Sequence, residues 1–192
     1  MKPTLILATI LLACSAQARP QLACVGDSIT IGAPGRAEDS YCNRVAERLG
    51  ATALNLGVSG MTSRWWVSRA SPEIPKADLT LLMIGTNDWR LQCGSSQEYG
   101  WNVLTIIDRI PRGPVVLLVP LFGRVGYAEA TYRIGMLLPR RVVVVEVQSL
   151  LTEPGDLGPL LHPTPQGHQK IKKAVLQAIR ERGLRDRKGR RW

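Results

Sequence analysis

The chain has 192 residues, of which 45% are hydrophobic, and carries a formal net charge of +10 from 25 basic and 15 acidic side chains. This length supports one domain with a complete hydrophobic core and excludes two domains of ordinary size. The basic balance suits an anionic partner, but the sequence contains no recognised nucleic-acid-binding module, so we expect no nucleic acid among the partners.

The N-terminal segment 1–18 has the organisation of a secretory signal peptide. Lys2 provides a positive start, residues 4–13 form an apolar run too short to span a bilayer, and Ala16-Gln17-Ala18 is a small-residue cleavage site. We therefore predict an exported protein, either secreted or periplasmic. In a competing interpretation, the segment ending at Cys14 resembles a bacterial lipobox, and the protein is a lipoprotein anchored through that cysteine.

Apolar runs of strand length recur along the chain. They cover residues 22–25, 53–56, 79–84, 115–119 and 142–147. Runs this apolar are typical of parallel strands that are covered on both faces. Patterns typical of amphipathic helices occur at residues 41–49, 103–110, 128–138 and 171–179. The alternation predicts an α/β fold over residues 19–182, a three-layer α/β/α sandwich with a five-stranded parallel flavodoxin-like sheet.

The C-terminal tail, residues 183–192, is rich in arginine and lysine and contains no apolar pattern of helical or strand period. Such a cluster of like charges at a chain end is typical of disorder. We therefore predict a disordered basic tail.

Three cysteines remain after removal of the predicted signal peptide. An exported protein folds in an oxidising compartment, so one disulfide is expected. Cys24 lies in a predicted buried strand and is interpreted as an inert core thiol. This interpretation leaves Cys42 and Cys93 as the predicted pair.

Four short polar blocks follow one another in chain order. They are Gly26-Asp27-Ser28-Ile29-Thr30, Asn55-Leu56-Gly57-Val58-Ser59-Gly60, Gly85-Thr86-Asn87-Asp88 and His162-Pro163. The first block follows an apolar strand directly, which puts Ser28 at the edge where open α/β sheets collect their chemistry. A serine hydroxyl needs an adjacent base to act as a nucleophile, and acyl transfer needs fixed donors for an oxyanion. The blocks contain a residue for each of these tasks.

Through these blocks the chain resembles the SGNH hydrolases, also called the GDSL esterase/lipase family, over nearly the whole mature chain. The resemblance implies that Ser28 is the nucleophile and His162 the base. It implies an oxyanion hole formed by the backbone N–H groups of Ser28 and Gly60 and by the side chain of Asn87. It also implies an esterase that uses neither a metal nor an organic cofactor. His168, the second histidine, is interpreted as a solvated surface residue.

The chain departs from the family pattern at the third member of the triad. The family usually carries an aspartate three residues before the histidine, and here Pro159 holds that position. Asp156, six residues before His162, is one candidate, which would reach the imidazole through a rearranged loop. In the other interpretation a backbone carbonyl orients the ring, and Ser28 and His162 act as a dyad.

The substrate class stays open at this point. Trp65, Trp66 and Trp89 follow the second and third blocks and are candidates for lining an acyl or sugar pocket, although ordinary loop packing would explain them equally well. Family substrates range over short acyl esters, lipids and acetylated sugars. The alternative is a weak or inactive SGNH-like module that binds envelope polysaccharide through Trp65, Trp66 and the basic surface. An anionic envelope surface is therefore an expected partner, beside a small-molecule or glycan ester substrate.

Overall fold

The computed structural model describes residues 18–32, 37–68, 72–123, 125–159 and 162–192. The predicted signal peptide lies outside the described residues except for Ala18, and so does Cys14 of the lipobox-like segment. Export and lipid anchoring therefore stay predictions.

One parallel sheet forms the centre of the molecule. Its strands are β1 (Gln21–Gly26), β2 (Thr52–Asn55), β3 (Leu79–Met83), β4 (Val115–Leu118) and β5 (Val142–Val145). They pair in the order β2-β1-β3-β4-β5, and every pair is parallel. This order is the flavodoxin-like one, with its topological switch point between β1 and β3. The predicted five-stranded parallel sheet is confirmed.

Helices cover both faces of the sheet. They are α1 (Ser28–Ile31), α2 (Tyr41–Leu49), α3 (Ser63–Val67), α4 (Thr86–Arg90), α5 (Ser96–Arg109), α6 (Val125–Leu137) and α7 (Pro165–Glu181). Side chains of α2 and α7 form one buried cluster with one face of the sheet, and α3, α5 and α6 form the second cluster on the other face. Successive residues of β3 point alternately into the two clusters, because side chains alternate along a strand. The three-layer α/β/α sandwich is confirmed.

The single disulfide found among the described residues joins Cys24 to Cys42, so the predicted Cys42–Cys93 pair is wrong. Cys24 in β1 faces the layer that contains α2, and Cys42 lies in the first turn of that helix. Their Cα atoms are 6.1 Å apart, within the range that a disulfide spans. Both cysteines are fully buried, whereas Cys93 is a partly exposed free thiol. Cys24 is therefore buried as one half of a disulfide and is not the inert core thiol that its position suggested.

The C-terminal tail is ordered, which corrects the prediction of disorder. Arg185 and Arg191 form an antiparallel bridge across a short turn. The guanidinium of Arg187 pairs with the Asp78 carboxylate at 2.9 Å, directly before β3. Trp192 packs against the hydrophobic cluster of α2 and α7. Asp78 on the domain and Asp186 within the tail therefore pair with two of the arginines whose charge suggested a free tail.

Two further features concern only the described residues. None of their helices is both long enough and apolar enough to cross a membrane. In the same residues, no three His, Cys, Asp or Glu side chains are grouped as they would be around a metal ion.

Candidate active site

The four polar blocks meet at the carboxyl edge of the sheet. Ser28 follows β1, Gly60 lies in the loop after β2, Asn87 follows β3, and His162 precedes α7. All four line one cavity of about 180 Å³, which we call the Ser28 cavity. The topology therefore brings together residues that are up to 134 positions apart in the chain.

Ser28 and His162 are in direct contact. The serine Oγ lies 2.8 Å from Nε2 of the imidazole. Ser28 is the first residue of the short helix α1, and Asp27 caps that helix by accepting the Ile29 N–H at 2.9 Å. This cap fixes the turn that presents the serine hydroxyl. The distance is the one that proton transfer from a nucleophile to a general base requires.

Gly57 and Gly60, both in the loop after β2, have different structural roles. A Cβ at Gly57 would lie 2.7 Å from the Ile31 backbone nitrogen, so this glycine is needed for close packing against the nucleophile turn. Gly60 has a φ of +76°, the left-handed region that glycine tolerates, and lines the Ser28 cavity. Gly60, not Gly57, thus presents backbone to the cavity.

Asn87 is buried and joins the blocks to one another. Its amide Nδ2 donates to the Met61 carbonyl oxygen at 3.1 Å and to Oδ2 of Asp27 at 3.3 Å. The two bonds tie the side chain to the loop after β2 and to the residue before the nucleophile. Asn87 also lines the Ser28 cavity, so its amide is held rigidly beside the reacting groups.

Two buried carboxylates support the site, and no sequence pattern indicated a role for either. Burial raises the pKa of the Asp27 carboxyl to about 7; the Ile29 N–H opposes that rise and the nearby charge of Asp88 adds to it. The pKa of Asp88 is also raised, because burial outweighs its hydrogen bonds from Ser63. Asp88 accepts both the N–H and the hydroxyl of Ser63, the first residue of α3. The sequence feature that could have indicated a role for Asp27 is its position between a predicted strand and Ser28.

Asp156 does not reach His162. The carboxylate is completely buried and accepts the Lys170 ammonium at 2.9 Å, the Glu153 N–H at 2.8 Å and the Gln166 amide at 3.3 Å. Burial alone would raise the pKa of Asp156, but the hydrogen bond from Lys170 and the further donors lower it below its ordinary value. Within the described residues, no carboxylate forms a hydrogen bond with the imidazole of His162. The rearranged triad is therefore not the arrangement seen here.

The three candidate tryptophans have different surroundings. Trp89 lines the Ser28 cavity and stacks on Phe122 with ring centroids 6.2 Å apart. Trp66 is only 1% exposed and donates its indole N–H to the Gly26 carbonyl oxygen at 3.0 Å, so it belongs to the core. Trp65 meets Trp66 edge to face and is not among the described residues that line the cavity. Of the three candidate tryptophans, only Trp89 lines the Ser28 cavity as predicted.

His168 is fully buried, which corrects its interpretation as a solvated surface residue. Its Nδ1 accepts the Tyr41 N–H at 3.2 Å, and the two rings stack. Burial, together with the nearby charge of Arg44, lowers the pKa of His168 to about 4. The residue holds α7 against α2 and lies outside the Ser28 cavity.

Comparison with known proteins now identifies the family. The sequence profile of the GDSL-like Lipase/Acylhydrolase family matches residues 24–170. The chain belongs to this family. It is accordingly an enzyme of the GDSL type that acts on ester bonds. No curated protein sequence matches the chain.

Solved structures share its fold at low sequence identity. A protein assigned to the lipolytic G-D-S-L family from Desulfitobacterium hafniense DCB-2 superposes with a TM-score of 0.66 at 16% identity, covering 83% of this chain and 99% of that one. A member of the same family from Veillonella parvula DSM 2008 gives 0.66 and 16%, covering 82% and 96%. A family two carbohydrate esterase from Clostridium thermocellum, solved in complex with cellohexaose, gives 0.68 and 16%, covering 86% of this chain and 65% of that one.

Proposed function

We propose that this GDSL-type hydrolase cleaves short-chain carboxylic esters through an acyl-enzyme on Ser28, with His162 as the general base. The observation that carries the proposal is the 2.8 Å contact between the serine Oγ and the imidazole Nε2 inside the Ser28 cavity. A serine that only capped a turn would have no reason to face a histidine from a segment 134 residues away.

The reaction proceeds in two halves. Ser28 Oγ attacks the ester carbonyl carbon while Nε2 of His162 takes the hydroxyl proton, and the carbonyl oxygen becomes an oxyanion. Collapse of this intermediate breaks the bond to the alcohol, which leaves with the proton from His162. Water then attacks the acyl-enzyme, again losing a proton to His162. The acid departs as Ser28 Oγ regains a proton.

Three donors are proposed to stabilise the oxyanion. Ser28 opens α1, where the first N–H groups have no acceptor within the helix. The Gly60 N–H has no hydrogen-bond acceptor among the described residues and borders the same cavity. The Asn87 amide is the third donor, and an incoming oxyanion would share its Nδ2 with Met61 and Asp27. Fixed donors of this kind need no reorganisation as charge develops.

His162 is proposed to work without a carboxylate partner. Asp156 uses its oxygens on Lys170, Glu153 and Gln166, so the backbone of the loop before α7 is left to orient the imidazole. Ser28 and His162 then act as a dyad. An orienting backbone keeps the ring in place, but it gives the transient imidazolium less support than a carboxylate does.

The size of the cavity favours a small acyl group. A volume of about 180 Å³ is below that of pockets that enclose drug-sized ligands. Trp89 and Phe122 stack at its wall and would border the acyl group. Because a structurally similar carbohydrate esterase was solved with cellohexaose, we extend the proposal to short acyl esters of glycans.

An exported location fits this substrate. The signal-peptide pattern of segment 1–18 predicts a secreted or periplasmic enzyme, or alternatively a lipoprotein anchored through Cys14. The excess of basic side chains would hold such an enzyme close to an anionic envelope surface.

The test combines a panel of p-nitrophenyl esters with a serine-directed phosphonate. The wild-type protein should hydrolyse p-nitrophenyl acetate and become phosphonylated at Ser28. Ser28→Ala should lose both reactions and keep its thermal unfolding midpoint. Ser59→Ala is the matched control, because Ser59 lines the same cavity without touching His162, and it should retain turnover. Failure of the wild type in both reactions would instead indicate a module that binds polysaccharide without cleaving it.

A further inference from the structure

The Ser28 cavity has two larger cavities beside it. A second cavity of about 430 Å³, here called the middle cavity, shares Trp89 with it. A third of about 540 Å³ lies between α5 and α6 and shares Ser96 and Gly126 with the middle cavity. We call the third the α5–α6 groove. The shared residues place the three cavities side by side as one line, which runs from the Ser28 cavity through the middle cavity to the α5–α6 groove.

We propose that this line binds the polysaccharide chain of an acylated glycan, with one sugar ring stacked on Trp101 in the α5–α6 groove. The inference rests on the proposed esterase function and names its substrate class. The acyl group would occupy the Ser28 cavity, and the sugar chain would leave over Trp89 and continue through the middle cavity. Trp101 would thereby recognise substrate at a distance from the reacting bond.

The middle cavity has the chemistry of a polar chain. Besides the aromatic residues Trp89 and Tyr127, it is lined by small and polar residues, which are Gln92, Gly94, Ser95, Ser96 and Gly126. Amide and hydroxyl groups both donate and accept hydrogen bonds, as sugar hydroxyls require. An aliphatic chain would leave these groups without partners and remove them from water, which costs free energy. The connecting segment therefore favours a glycan over a fatty acyl chain.

The α5–α6 groove combines a flat apolar surface with a polar rim. Trp101 is 64% exposed, which is unusual for so large an apolar side chain. Gln97 precedes it by one turn, and the ion-paired side chains of Glu129 and Arg133 line the same groove from α6. Sugar rings have apolar C–H faces that pack on aromatic rings and hydroxyl edges that bond to polar groups. Trp101 with its rim offers both at once.

Glycines allow α5 and α6 to pack closely beside the groove. Gly100 on α5 faces Ala130 on α6, and a Cβ added at the glycine would lie 3.5 Å from the alanine methyl. Gly126 stands where the groove joins the middle cavity, and a Cβ there would come within 2.8 Å of the Ser96 hydroxyl oxygen. A Cβ at Gly100 would make only an ordinary contact, whereas one at Gly126 would force Ser96 to move, so Gly126 sets how closely the two helices approach where the groove meets the middle cavity.

The experiment compares Trp101→Ala with wild type on substrates of different length and chemistry. The matched control is Met136→Ala, since Met136 is an equally exposed apolar residue of α6 that does not line the groove. The substrates are p-nitrophenyl acetate, p-nitrophenyl octanoate, and acetylated disaccharides and hexasaccharides of β-1,4-linked glucose, xylose and N-acetylglucosamine. Trp101 belongs to neither buried core cluster, so the variant should keep its thermal unfolding midpoint.

The wild type should prefer at least one hexasaccharide over its disaccharide. Trp101→Ala should lower kcat/KM for that hexasaccharide by about fivefold or more, mainly through KM, as expected when a central aromatic contact is lost. It should leave the disaccharide and p-nitrophenyl acetate unchanged, and Met136→Ala should match wild type throughout. An equal effect on long and short sugars, a loss confined to the octanoate, or no length preference in the wild type would overturn the inference. Lack of wild-type activity on p-nitrophenyl acetate would instead refute the esterase function.

Discussion

Replacement of His168 by asparagine should make the protein more resistant to mild acid. The unfolded chain binds a proton at this histidine near pH 6.5, whereas the folded protein does so only near pH 4. As the pH falls through this window, the unfolded state is the first to gain a proton, and folding stability is lost. The difference of about 2.5 pKa units corresponds to about 3 kcal/mol at full protonation. In His168→Asn the side-chain oxygen can still accept the Tyr41 N–H, but nothing titrates.

Asp27 acts in the opposite direction over nearly the same range. Its pKa rises from 3.8 in the unfolded chain to about 7 in the folded protein. The folded state therefore holds this proton longer, so stability is greatest in acid and is lost as the pH rises from about 4 to about 7, by about 4 kcal/mol. In the wild type the two groups partly cancel. The contribution of His168 must therefore be obtained as the difference in unfolding free energy between wild type and His168→Asn at each pH.

The assay is urea unfolding of wild type, His168→Asn and Asp27→Asn at several pH values. As the pH falls from about 7.5 to about 4.5, the free energy of unfolding of His168→Asn should improve relative to wild type by about 2–3 kcal/mol. Asp27→Asn should shift relative to wild type with the opposite sign. A pH-independent difference between wild type and His168→Asn would refute the reasoning, since it would mean that the buried imidazole titrates alike in both states.

Three further predictions concern the site and its support. Asn87→Ala should reduce kcat on p-nitrophenyl acetate by about 10²–10³-fold with little change in KM, because one oxyanion donor is lost; a raised KM at constant kcat would assign the residue to substrate binding. His162→Ala should nearly abolish turnover, whereas Asp156→Asn should retain a sizeable fraction in a folded protein, because Asp156 does not contact the imidazole; an equal loss in both would restore Asp156 to a triad. Reduction of the Cys24–Cys42 disulfide should cost about 3 kcal/mol of unfolding free energy for a loop of this length, and an unchanged urea midpoint with dithiothreitol would contradict it.

The sheet could be predicted from the sequence because its strands are buried on both faces. Continuous apolar runs such as those at 79–84 and 115–119 leave few other structures for segments so short. The first residues of the helices were harder to predict from the sequence. The apolar stripe of α5 begins at Val103, but the helix begins at Ser96, where Ser95 caps it by accepting the Glu98 N–H. The first turns of α5 are polar and line the surface cavities, so hydrophobic periodicity could not mark them.

The disulfide and the tail could not be predicted because both depend on partners far along the chain. Spacing does not tell on which face of β1 the Cys24 side chain lies, and that face decides whether Cys42 can reach it. Likewise, the charge of the tail indicates disorder until Asp78, more than a hundred residues earlier, is placed beside Arg187. Sequence patterns indicate local charge and burial. They do not show which distant residue will pair with a charged side chain or a cysteine.

The meeting of Ser28, Gly60, Asn87 and His162 at one cavity could be predicted, because the edge of a parallel sheet brings its loops together. The prediction of pocket-lining residues was wrong where a side chain near that edge points away from the cavity. Trp66 follows the same loop as Gly60 but points inward, and its indole supports the Gly26 carbonyl at the end of β1. Proximity in sequence to a functional glycine does not determine on which side of a short helix a ring lies.

Asp156 stabilises the segment around His162 without contacting the imidazole. Its side chain holds Lys170 of α7, while its backbone carbonyl accepts the Thr164 N–H at 2.9 Å. Thr164 in turn caps α7, and the Gly158 N–H bonds to the His162 carbonyl at 2.8 Å. The backbone on both sides of the histidine is thus fixed, and Nε2 meets the serine without a bond to a carboxylate. We expect the fixed backbone to help orient the imidazole, but it does not provide the negative charge of an acid. Because the imidazolium forms only as the proton moves, the missing charge should lower kcat and leave KM unaffected.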